Sequence, residues 1–549
     1  MLIVRRRILK KVGKTLLIKK PIRIVISVLL LGWSFDILFW NNPVGLNYPI
    51  FIALCLIGGS SLLLGFRIRP AWSSTLLIFP ILFFGLITNF RQEPLTLFLA
   101  YTISIGSLGL LAVTYQGGRW IQYGPIDYIL HSLELFGSIL ARPAIFFFEV
   151  IREKSKEAKQ PKSHSIKPFV RGLLIAVPIV LVFTSLLAAA DPIFDQTIHS
   201  ILDPFNFNRF GETILQVVIV VIIAYILAGA FLHAGQLSGS EKLIGEQNPI
   251  VRTFLGFIES AIVLGAVTLV FLLFVIIQFR YFFGGQTNIS ITGFTYSEYA
   301  RRGFTELVVV AILSLVLSIS LSLITRAGEK VQKRILLGLD VSIAAEVLVI
   351  LISAFQRLSL AIDWHGYSRL RLYPRVFMIW LGALFVTIVI LEILGHKRYF
   401  MLAIILASLG FTVHLSLSNV DASIVHYNVQ RATQGKHFNV GLLTSLSADA
   451  VPELKKEFLN TTLPITVKEG VGAALACYQH TRGYTNYTPS DWRIFNATIS
   501  NAASSLEQIK NELTAYHIND DGSLIRVQTP GNVWYECLDN PCADSSYCD

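Results

Sequence analysis

The sequence has few charged residues for its length. Only 15% of its 549 residues are Asp, Glu, Lys or Arg, while 53% are hydrophobic, and the mean hydropathy is +0.60. A soluble domain carries roughly 25% charged residues. The composition therefore excludes a soluble enzyme, a nucleic-acid-binding protein and a disordered protein as descriptions of the whole chain, despite a net charge of +11. It predicts a membrane protein that crosses the bilayer several times.

The motifs of several enzyme classes are also missing. The sequence contains no phosphate-binding P-loop, no GxSxG nucleophile turn and no HExxH zinc motif. The five cysteines form no CxxC pair, which argues against a zinc site. We therefore expect no cofactor, no metal and no nucleic-acid partner, and the sequence leaves open whether the protein is an enzyme.

Long apolar stretches are what the sequence does contain. A helix that crosses a bilayer needs about 20 mostly apolar residues, because the hydrocarbon core is about 30 Å thick. The stretches of this kind lie near 24–40, 46–66, 73–88, 96–115, 172–190, 213–233, 255–279, 305–325, 336–354, 375–394 and 399–417. We predict an all-α polytopic domain over residues 1–417 with about 11 transmembrane helices.

The distribution of Lys and Arg predicts the orientation of these helices. Basic residues are retained on the cytoplasmic side of a membrane. If the N-terminus is cytoplasmic, the loops on that side carry 28 Lys and Arg, and the opposite loops carry 9. We predict a plasma (inner) membrane protein with its N-terminus in the cytoplasm and its C-terminus outside it.

One stretch within the membrane domain is amphipathic rather than uniformly apolar. Residues near 125–149 place apolar side chains at helical spacing, and a basic run follows from Arg152. This pattern is typical of a helix that lies on the membrane surface with its basic end facing anionic lipid. We predict such a cytoplasmic segment over about residues 120–168.

The tail from 418 to 549 differs from the rest of the chain. It carries 14 acidic and 9 basic residues, a net charge of −5. Helix-start signals occur at Asp421, after Asp449 and near residue 499, and residues 523–537 read as a β-hairpin. We predict a small, mainly helical extracytoplasmic domain carrying a short hairpin.

Four of the five cysteines lie in this tail, at Cys477, Cys537, Cys542 and Cys548. An even set of cysteines in an exported segment favours disulfides. Four cysteines allow three pairings, and the sequence does not choose among them. Free thiols remain the alternative.

Charged residues collect in the predicted outer loops. The loop before the eighth stretch carries Glu298, Arg301 and Arg302, and the next outer loop carries four arginines, including Arg369 and Arg371. Arginines kept on the outer side need partners, and the arginine fork suits carboxylate and phosphate groups. Lipid-headgroup anchoring and ligand binding both explain this pattern.

Two acidic positions in the chain have competing interpretations. Asp191 precedes a proline directly after the fifth stretch, where it either starts a helix or acts as an acid or metal ligand. Glu346 lies in the middle of the ninth stretch, and an acid inside a membrane is costly enough to be a functional candidate.

Several motifs together resemble a known family. They are Ala190-Asp-Pro-Ile-Phe194, Glu298-Tyr-Ala-Arg-Arg-Gly-Phe-Thr-Glu-Leu307, Gly366-Tyr-Ser-Arg-Leu-Arg-Leu-Tyr373, Tyr427-Asn-Val-Gln-Arg431 and Leu443-Thr-Ser-Leu-Ser-Ala-Asp-Ala-Val-Pro452. This set, over about residues 170–455, resembles the bacterial integral-membrane family known as domain of unknown function 4173. The resemblance implies a multi-span envelope protein and brings no known activity or cofactor.

All of these motifs fall on the predicted outer side, where they would form one polar site. Its candidate residues are Asp191, Glu298, Arg301, Arg302, Tyr367, Arg369, Arg371, Tyr373, Tyr427 and Arg431. The first hypothesis is a binding, sensing or assembly protein that holds an anionic lipid, glycan or peptide there, with its protein partners unknown. The second is a secondary transporter that uses Glu346 as its intramembrane acid, and the third is an enzyme acting on a lipid-linked substrate through Asp191 or Glu298.

Overall fold

The computed structural model describes residues 20–157, 210–239, 254–283, 304–326, 328–482, 491–520 and 524–537, with isolated positions at 243 and between 176 and 197. Within these ranges the chain is helical apart from one small sheet near its C-terminal end. The predicted site residues Glu298, Arg301 and Arg302 and the cysteines Cys542 and Cys548 lie outside them.

Long helices make up most of the described chain. In the first half they are α1 (Pro21–Phe39), α2 (Asn47–Gly65), α3 (Trp72–Thr75), α4 (Ile78–Phe90), α5 (Pro94–Thr114), α6 (Pro125–Glu157) and α7 (Phe210–Gln236). They continue with α8 (Phe257–Phe283), α9 (Phe304–Ile324), α10 (Lys330–His365), α11 (Arg369–Ile393) and α12 (Phe400–Ser418).

The described residues contain ten helical segments that are long and apolar enough to cross a bilayer. They are α1, α2, the pair α3–α4, α5 and all the helices from α7 to α12. The prediction of a polytopic all-α membrane protein is therefore confirmed. Of the predicted stretch at 172–190, which would be the eleventh span, the structure describes only isolated positions, so this span is not tested.

The third span is built from two pieces. The short helix α3 ends at Thr75, and α4 begins at Ile78. Pro80 falls in the first turn of α4, where a missing N–H removes no intrahelical hydrogen bond. The proline thus starts the longer piece, and Trp72–Phe90 together still has the length of a span.

The outer surface of this helix bundle is apolar. Only 17% of the most apolar window of α8 is buried inside the protein, and the Leu269 side chain on it is 68% exposed. A water-soluble protein does not present such a surface, whereas a protein surrounded by lipid must.

Glycines allow two close helix contacts inside the bundle. A Cβ at Gly32 of α1 would lie 2.5 Å from the Val220 carbonyl oxygen of α7. A Cβ at Gly229 of α7 would lie 2.5 Å from the Ile139 Cα of α6. Small residues at such crossings let helix backbones approach closely in membranes, where packing replaces the hydrophobic effect.

Helix α6 turns its polar face toward the protein. His131 and Ser138 are buried, and the Ser138 hydroxyl lies 2.9 Å from Nδ1 of His233 on α7. Leu133 and Phe136, by contrast, are more than 60% exposed. The described part of α6 is thus amphipathic, with its apolar side facing away from the protein. Its position on the cytoplasmic membrane surface stays a prediction. The rest of the predicted segment, from 158 to 168, lies outside the described residues.

The C-terminal segment folds into short helices and a sheet. The helices are α13 (Val420–Thr433), α14 (Val440–Thr444), α15 (Val451–Phe458), α16 (Ile465–Thr481), α17 (Ala497–Gln508) and α18 (Lys510–Leu513). Strands β1 (His517–Asp520), β2 (Ile525–Gln528) and β3 (Trp534–Glu536) pair antiparallel in that order. The predicted hairpin is β2–β3, and the structure adds β1 as a third strand beyond that prediction.

A disulfide joins α16 to the residue after β3. It links Cys477 and Cys537, which are 60 residues apart. Both lie in the same core as Val471, Ala474 and Val527, each fully buried. The prediction that the tail carries a disulfide is confirmed for this pair.

The C-terminal segment packs on one end of the helix bundle. Three loops of that end bond to it: the Leu46 amide donates to the Phe495 carbonyl, the Gln92 amide to Asp449 and the Tyr367 amide to Asn428. Asn419, with a positive φ of 45°, both ends α12 and caps α13 through the Ala422 amide. No spacer therefore separates the last membrane helix from this segment.

Candidate functional site

The turn between α10 and α11 meets α13 and brings together residues from two predicted motifs. Asn428 accepts a hydrogen bond from the Tyr367 amide at 2.9 Å and donates one to the Tyr367 carbonyl at 2.8 Å. The Tyr367 and Tyr427 rings stack with their centroids 4.6 Å apart. An amide side chain that satisfies both backbone groups of one residue fixes the turn rigidly against α13.

Gly366 makes this close contact possible. Its φ is +84°, a conformation that L side chains rarely adopt. A Cβ here would lie 2.4 Å from Oδ1 of Asn428 and 2.5 Å from Nη1 of Arg431. The turn therefore requires a glycine both for its backbone and for its space.

Three guanidinium groups surround the turn. Arg431 lies near Arg371, whose Nη1 is 3.3 Å from the Gly366 carbonyl oxygen. Arg375 donates to the Tyr367 hydroxyl at 3.0 Å and lies over the Phe355 ring. We call Arg371, Arg375 and Arg431, with Tyr367 and Tyr427, the arginine site.

Within the described residues, the hydrogen bonds of these three arginines go to neutral oxygen atoms. Arg431 donates to the carbonyls of Asp363 and Trp364, at 2.7 and 3.2 Å, at the C-terminal end of α10. Its Nε is buried and has no hydrogen-bond partner within the described ranges. Burial lowers the pKa of the Arg431 guanidinium. Among the ion pairs formed by the described residues, none includes Arg371, Arg375 or Arg431.

The neighbouring Arg369 differs because it has an acidic partner. Its Nε donates to Oδ1 of Asp421 at 2.8 Å, and its Nη2 reaches Oδ2 at 2.5 Å. The fully buried Asp421 also accepts the Ser447 amide at 2.7 Å. The Arg369–Asp421 pair thus holds α13 and residues 447–450 against the N-terminus of α11.

Tyr373 also forms a hydrogen bond within the protein. Its hydroxyl donates to Glu93, which caps the N-terminus of α5 by accepting the Leu95 and Thr96 amides, both at 2.8 Å. Burial raises the pKa of the Glu93 carboxyl, and the nearby Asp421 charge adds to the rise. This contact fastens α11 to α5.

A third buried carboxylate lies on the same interface. Asp449 accepts the Gln92 amide at 2.6 Å and the Ser447 hydroxyl at 3.1 Å, and its Oδ1 lies 3.7 Å from Nη1 of Arg91. Burial raises the pKa of the Asp449 carboxyl. We call Glu93, Asp421 and Asp449 the carboxylate cluster.

The carboxylate cluster was absent from the predicted site. The sequence marks Asp421 as a helix start and Asp449 as a helix start within the motif at residues 443–452. Glu93-Pro94 before an apolar run is also a helix-start signal, which the sequence analysis above does not use. Nothing in the sequence indicates that the three carboxylates meet. Because each accepts hydrogen bonds from fixed donors, the cluster is organised for holding elements together rather than for transferring protons to a substrate.

The remaining predicted residues lie elsewhere. Asp191 is exposed and accepts the Ile193 amide at 2.8 Å, a local helix-start contact. Glu346 lies on α10, partly exposed, and its Oε2 is buried without a hydrogen-bond partner in the part of the chain that is described. The only described group of side chains that could hold a metal ion is His426, Glu453 and Glu457.

The fold and this junction define a class: a multi-pass α-helical membrane protein whose C-terminal segment is fastened to one end of the bundle by buried ion pairs. A family model described as "Domain of unknown function (DUF4153)" matches residues 78–457, more than half of the chain. The chain therefore belongs to this DUF4153 family.

The family match corrects the expected family and agrees with the expectation of an uncharacterised membrane-protein family. The motifs had suggested domain of unknown function 4173, and the model that matches is a different uncharacterised family. The match spans both the arginine site and the carboxylate cluster and ends at the last residue of the metal-ligating group. No curated protein and no solved structure matches the chain.

Proposed function

We propose that this protein binds an anionic headgroup at the arginine site and serves the cell envelope as a binding, sensing or assembly protein. The observation that carries the proposal is the contrast between neighbouring arginines. Arg369 has a buried carboxylate, whereas Arg371, Arg375 and Arg431 form no ion pair with the described residues. Asp363 is the acidic group whose charge acts on Arg431, and it forms no ion pair with it. Three positive charges gathered without an ion-paired carboxylate favour an anion from outside the protein.

The position of the arginine site favours a lipid headgroup as the anion. Arg371 and Arg375 lie in the first two turns of α11, which is long and apolar enough to span the membrane. Residues at the end of a spanning helix are expected at the level of the headgroups. Trp364 and Leu370 beside them are about 60% exposed, as residues at a membrane interface are. An arginine fork binds the phosphate of such a headgroup through two parallel hydrogen bonds.

The orientation of the protein is part of the proposal. We place the chain in the plasma (inner) membrane, with its N-terminus in the cytoplasm and its C-terminal segment on the outer side. The excess of Lys and Arg in alternate loops supports this orientation, and the Cys477–Cys537 disulfide supports an oxidising compartment for the tail. The arginine site then faces the outer leaflet.

Cysteine labelling tests the orientation. Ser504 is exposed on α17, and Lys333 is exposed near the start of α10. In a background with Cys542→Ser and Cys548→Ser, an impermeant maleimide applied to intact cells should label Ser504→Cys and leave Lys333→Cys unlabelled until the cells are opened. The reverse pattern would place the arginine site on the cytoplasmic side.

Lipid binding tests the ligand. Full-length protein is placed in nanodiscs of phosphatidylcholine, and phosphatidylglycerol bound per protein is measured by native mass spectrometry. We expect Arg371→Met to weaken binding about tenfold or more, since one charge-assisted contact is worth roughly 1.5–3 kcal/mol. The control is Arg526→Met, which removes an exposed arginine paired with Glu536 in the tail sheet. Equal binding by wild type and Arg371→Met would refute a lipid ligand, and competition by an acidic glycan or peptide would indicate those classes instead.

One observation favours a second candidate, a secondary transporter. Glu346 is an acid in the middle of a span, and none of the described residues hydrogen-bonds its buried Oε2. A carboxyl group in that position could carry a proton across the membrane. Proton flux in proteoliposomes that is lost in Glu346→Gln and kept in Arg371→Met would favour transport over headgroup binding.

A further inference from the structure

Three metal-ligating side chains meet on the C-terminal segment, away from the arginine site. Glu453 and Glu457 lie one turn apart on α15, so they share a face of that helix. His426 comes from α13, which packs against α15. Its Nδ1 lies 3.3 Å from an oxygen of each glutamate, and all three ligand atoms lie within 4.8 Å of one another.

These distances fit a tetrahedral metal ion. Zinc binds histidine nitrogen and carboxylate oxygen at about 2.0–2.2 Å in a tetrahedral arrangement. Ligand atoms at the corners of such a tetrahedron are roughly 3.3–3.5 Å apart. The two nitrogen–oxygen distances of 3.3 Å match this separation, so two of the three ligand pairs need no rearrangement.

We propose that His426, Glu453 and Glu457 bind a divalent transition-metal ion such as Zn²⁺. The imidazole supplies one nitrogen and each carboxylate one oxygen, and the two negative charges neutralise the ion. Glu457 is buried and Glu453 is partly buried, whereas about half of the His426 side chain is exposed. Water completes the coordination on that open side, as in sites with three protein ligands.

The competing interpretation is a pair of ion pairs made by a protonated histidine. Lys456 already lies 2.8 Å from the Glu453 oxygen that also approaches His426. The Lys456 side chain is 67% exposed and ends in solvent, so it can leave this oxygen to a metal at little cost. If the histidine only forms ion pairs, replacing it should not change the affinity of the protein for Zn²⁺, and this affinity can be measured.

The metal would fasten α13 to α15. Helix α13 also carries Tyr427 and Arg431 of the arginine site, and the His426 and Tyr427 rings lie 5.6 Å apart. A ligand set drawn from two helices exists only in the folded segment, so metal binding stabilises that fold. This role is independent of the proposed headgroup binding.

Zinc titration of the full-length protein tests the proposal. Tag-free protein in detergent is freed of metal with a chelator and titrated with Zn²⁺ by calorimetry. We expect one ion per chain with a micromolar or lower Kd, and an affinity at least tenfold weaker in His426→Ala and in Glu453→Gln. The matched control is His480→Ala, because His480 approaches a single carboxylate, Asp520, at 3.2 Å.

Cobalt provides a second readout that does not depend on stability. Co²⁺ bound in a tetrahedral site gives an intense visible absorption, which should appear in wild type and in His480→Ala and be lost in His426→Ala. The absence of zinc binding by the wild type would overturn the proposal, and so would equal binding by wild type and His426→Ala. Because His426 is half-exposed, its replacement should leave the fold intact, and an unchanged circular dichroism spectrum checks this.

Discussion

Replacing Asp421 by Asn is the sharpest test of how the C-terminal segment is held. Asp421 is fully buried, forms two bonds to the guanidinium of Arg369 and accepts the Ser447 amide. The amide side chain keeps the shape of the carboxylate and removes its charge. Arg369 then loses the only carboxylate bonded to it among the described residues, although the more distant Glu93 charge remains, and the Asn NH₂ group faces a donor.

The size of the effect follows from the burial of the pair. Removing one partner of a buried ion pair costs about 3–5 kcal/mol. The Arg369 side chain is 23% exposed, so water offsets part of this cost, and we expect about 3 kcal/mol. Each 1.4 kcal/mol is a factor of ten in an equilibrium constant, so α13 should open about 100-fold more often.

Hydrogen exchange measured by mass spectrometry reports this opening directly. Amides of α13 should exchange about 100-fold faster in Asp421→Asn, whereas those of α8 should be unchanged. Adding Arg369→Met should recover roughly 2 kcal/mol, because the uncompensated charge is then gone. The control Glu507→Gln breaks an exposed pair with Lys510 and should have little effect. Unchanged exchange in Asp421→Asn, or additive effects in the double variant, would refute the reasoning.

Three further perturbations address the same region. Gly366→Ala places a Cβ 2.4 Å from Asn428 in a backbone with positive φ, and we expect a loss of roughly 1–3 kcal/mol in thermal unfolding. Cys477→Ser removes the disulfide to Cys537 and opens a loop of 60 residues, and the lost constraint on the unfolded chain is worth about 4 kcal/mol. We expect a lower Tm for this variant, and adding a reducing agent should lower the Tm of wild type but not that of the variant. Burial raises the pKa of the Glu93 carboxyl, so the folded state binds its proton more tightly than the unfolded state does. The resulting contribution to stability is present at low pH. It is lost as the pH rises above about 4, the ordinary pKa range of Glu. Glu93→Gln should remove that part of the dependence of Tm on pH.

Two of these predictions have a matched control variant, and the third has a pH series. Gly435 has a φ of +77° with open space around it, so Gly435→Ala isolates the backbone strain from the clash expected at Gly366. Cys55 is buried in the membrane domain, and Cys55→Ser should leave the response to reducing agent unchanged. A constant difference in Tm between Glu93→Gln and wild type from pH 4 to pH 7 would contradict the assigned pKa shift.

The membrane architecture could be predicted from the sequence because it depends on local composition. The apolar windows located the described spans, but they did not give the full extent of each helix. The ninth stretch, predicted at 336–354, belongs to a helix that runs from Lys330 to His365. Its polar ends extend beyond the apolar window, which is the only part that a hydropathy pattern detects.

The candidate site could be predicted only as a region. Tyr367 and Tyr427 come from separate motifs that the structure brings into contact. The sequence could not distinguish Arg369 from Arg371, because the difference depends on Asp421, which lies 52 residues further along the chain. Tyr373 and Glu93 are 280 residues apart, and no local pattern reports such a pairing.

The junction at Asn419 makes the C-terminal segment inseparable from the membrane helices. A chain that stopped there would still fold α12, but it would leave Arg369 at the lipid boundary with no anion to balance it, and Gln92 with an unsatisfied amide. The bundle is therefore complete only when the C-terminal segment has folded onto it. Truncated products should be recognised as damaged and degraded instead of accumulating as a shorter working form.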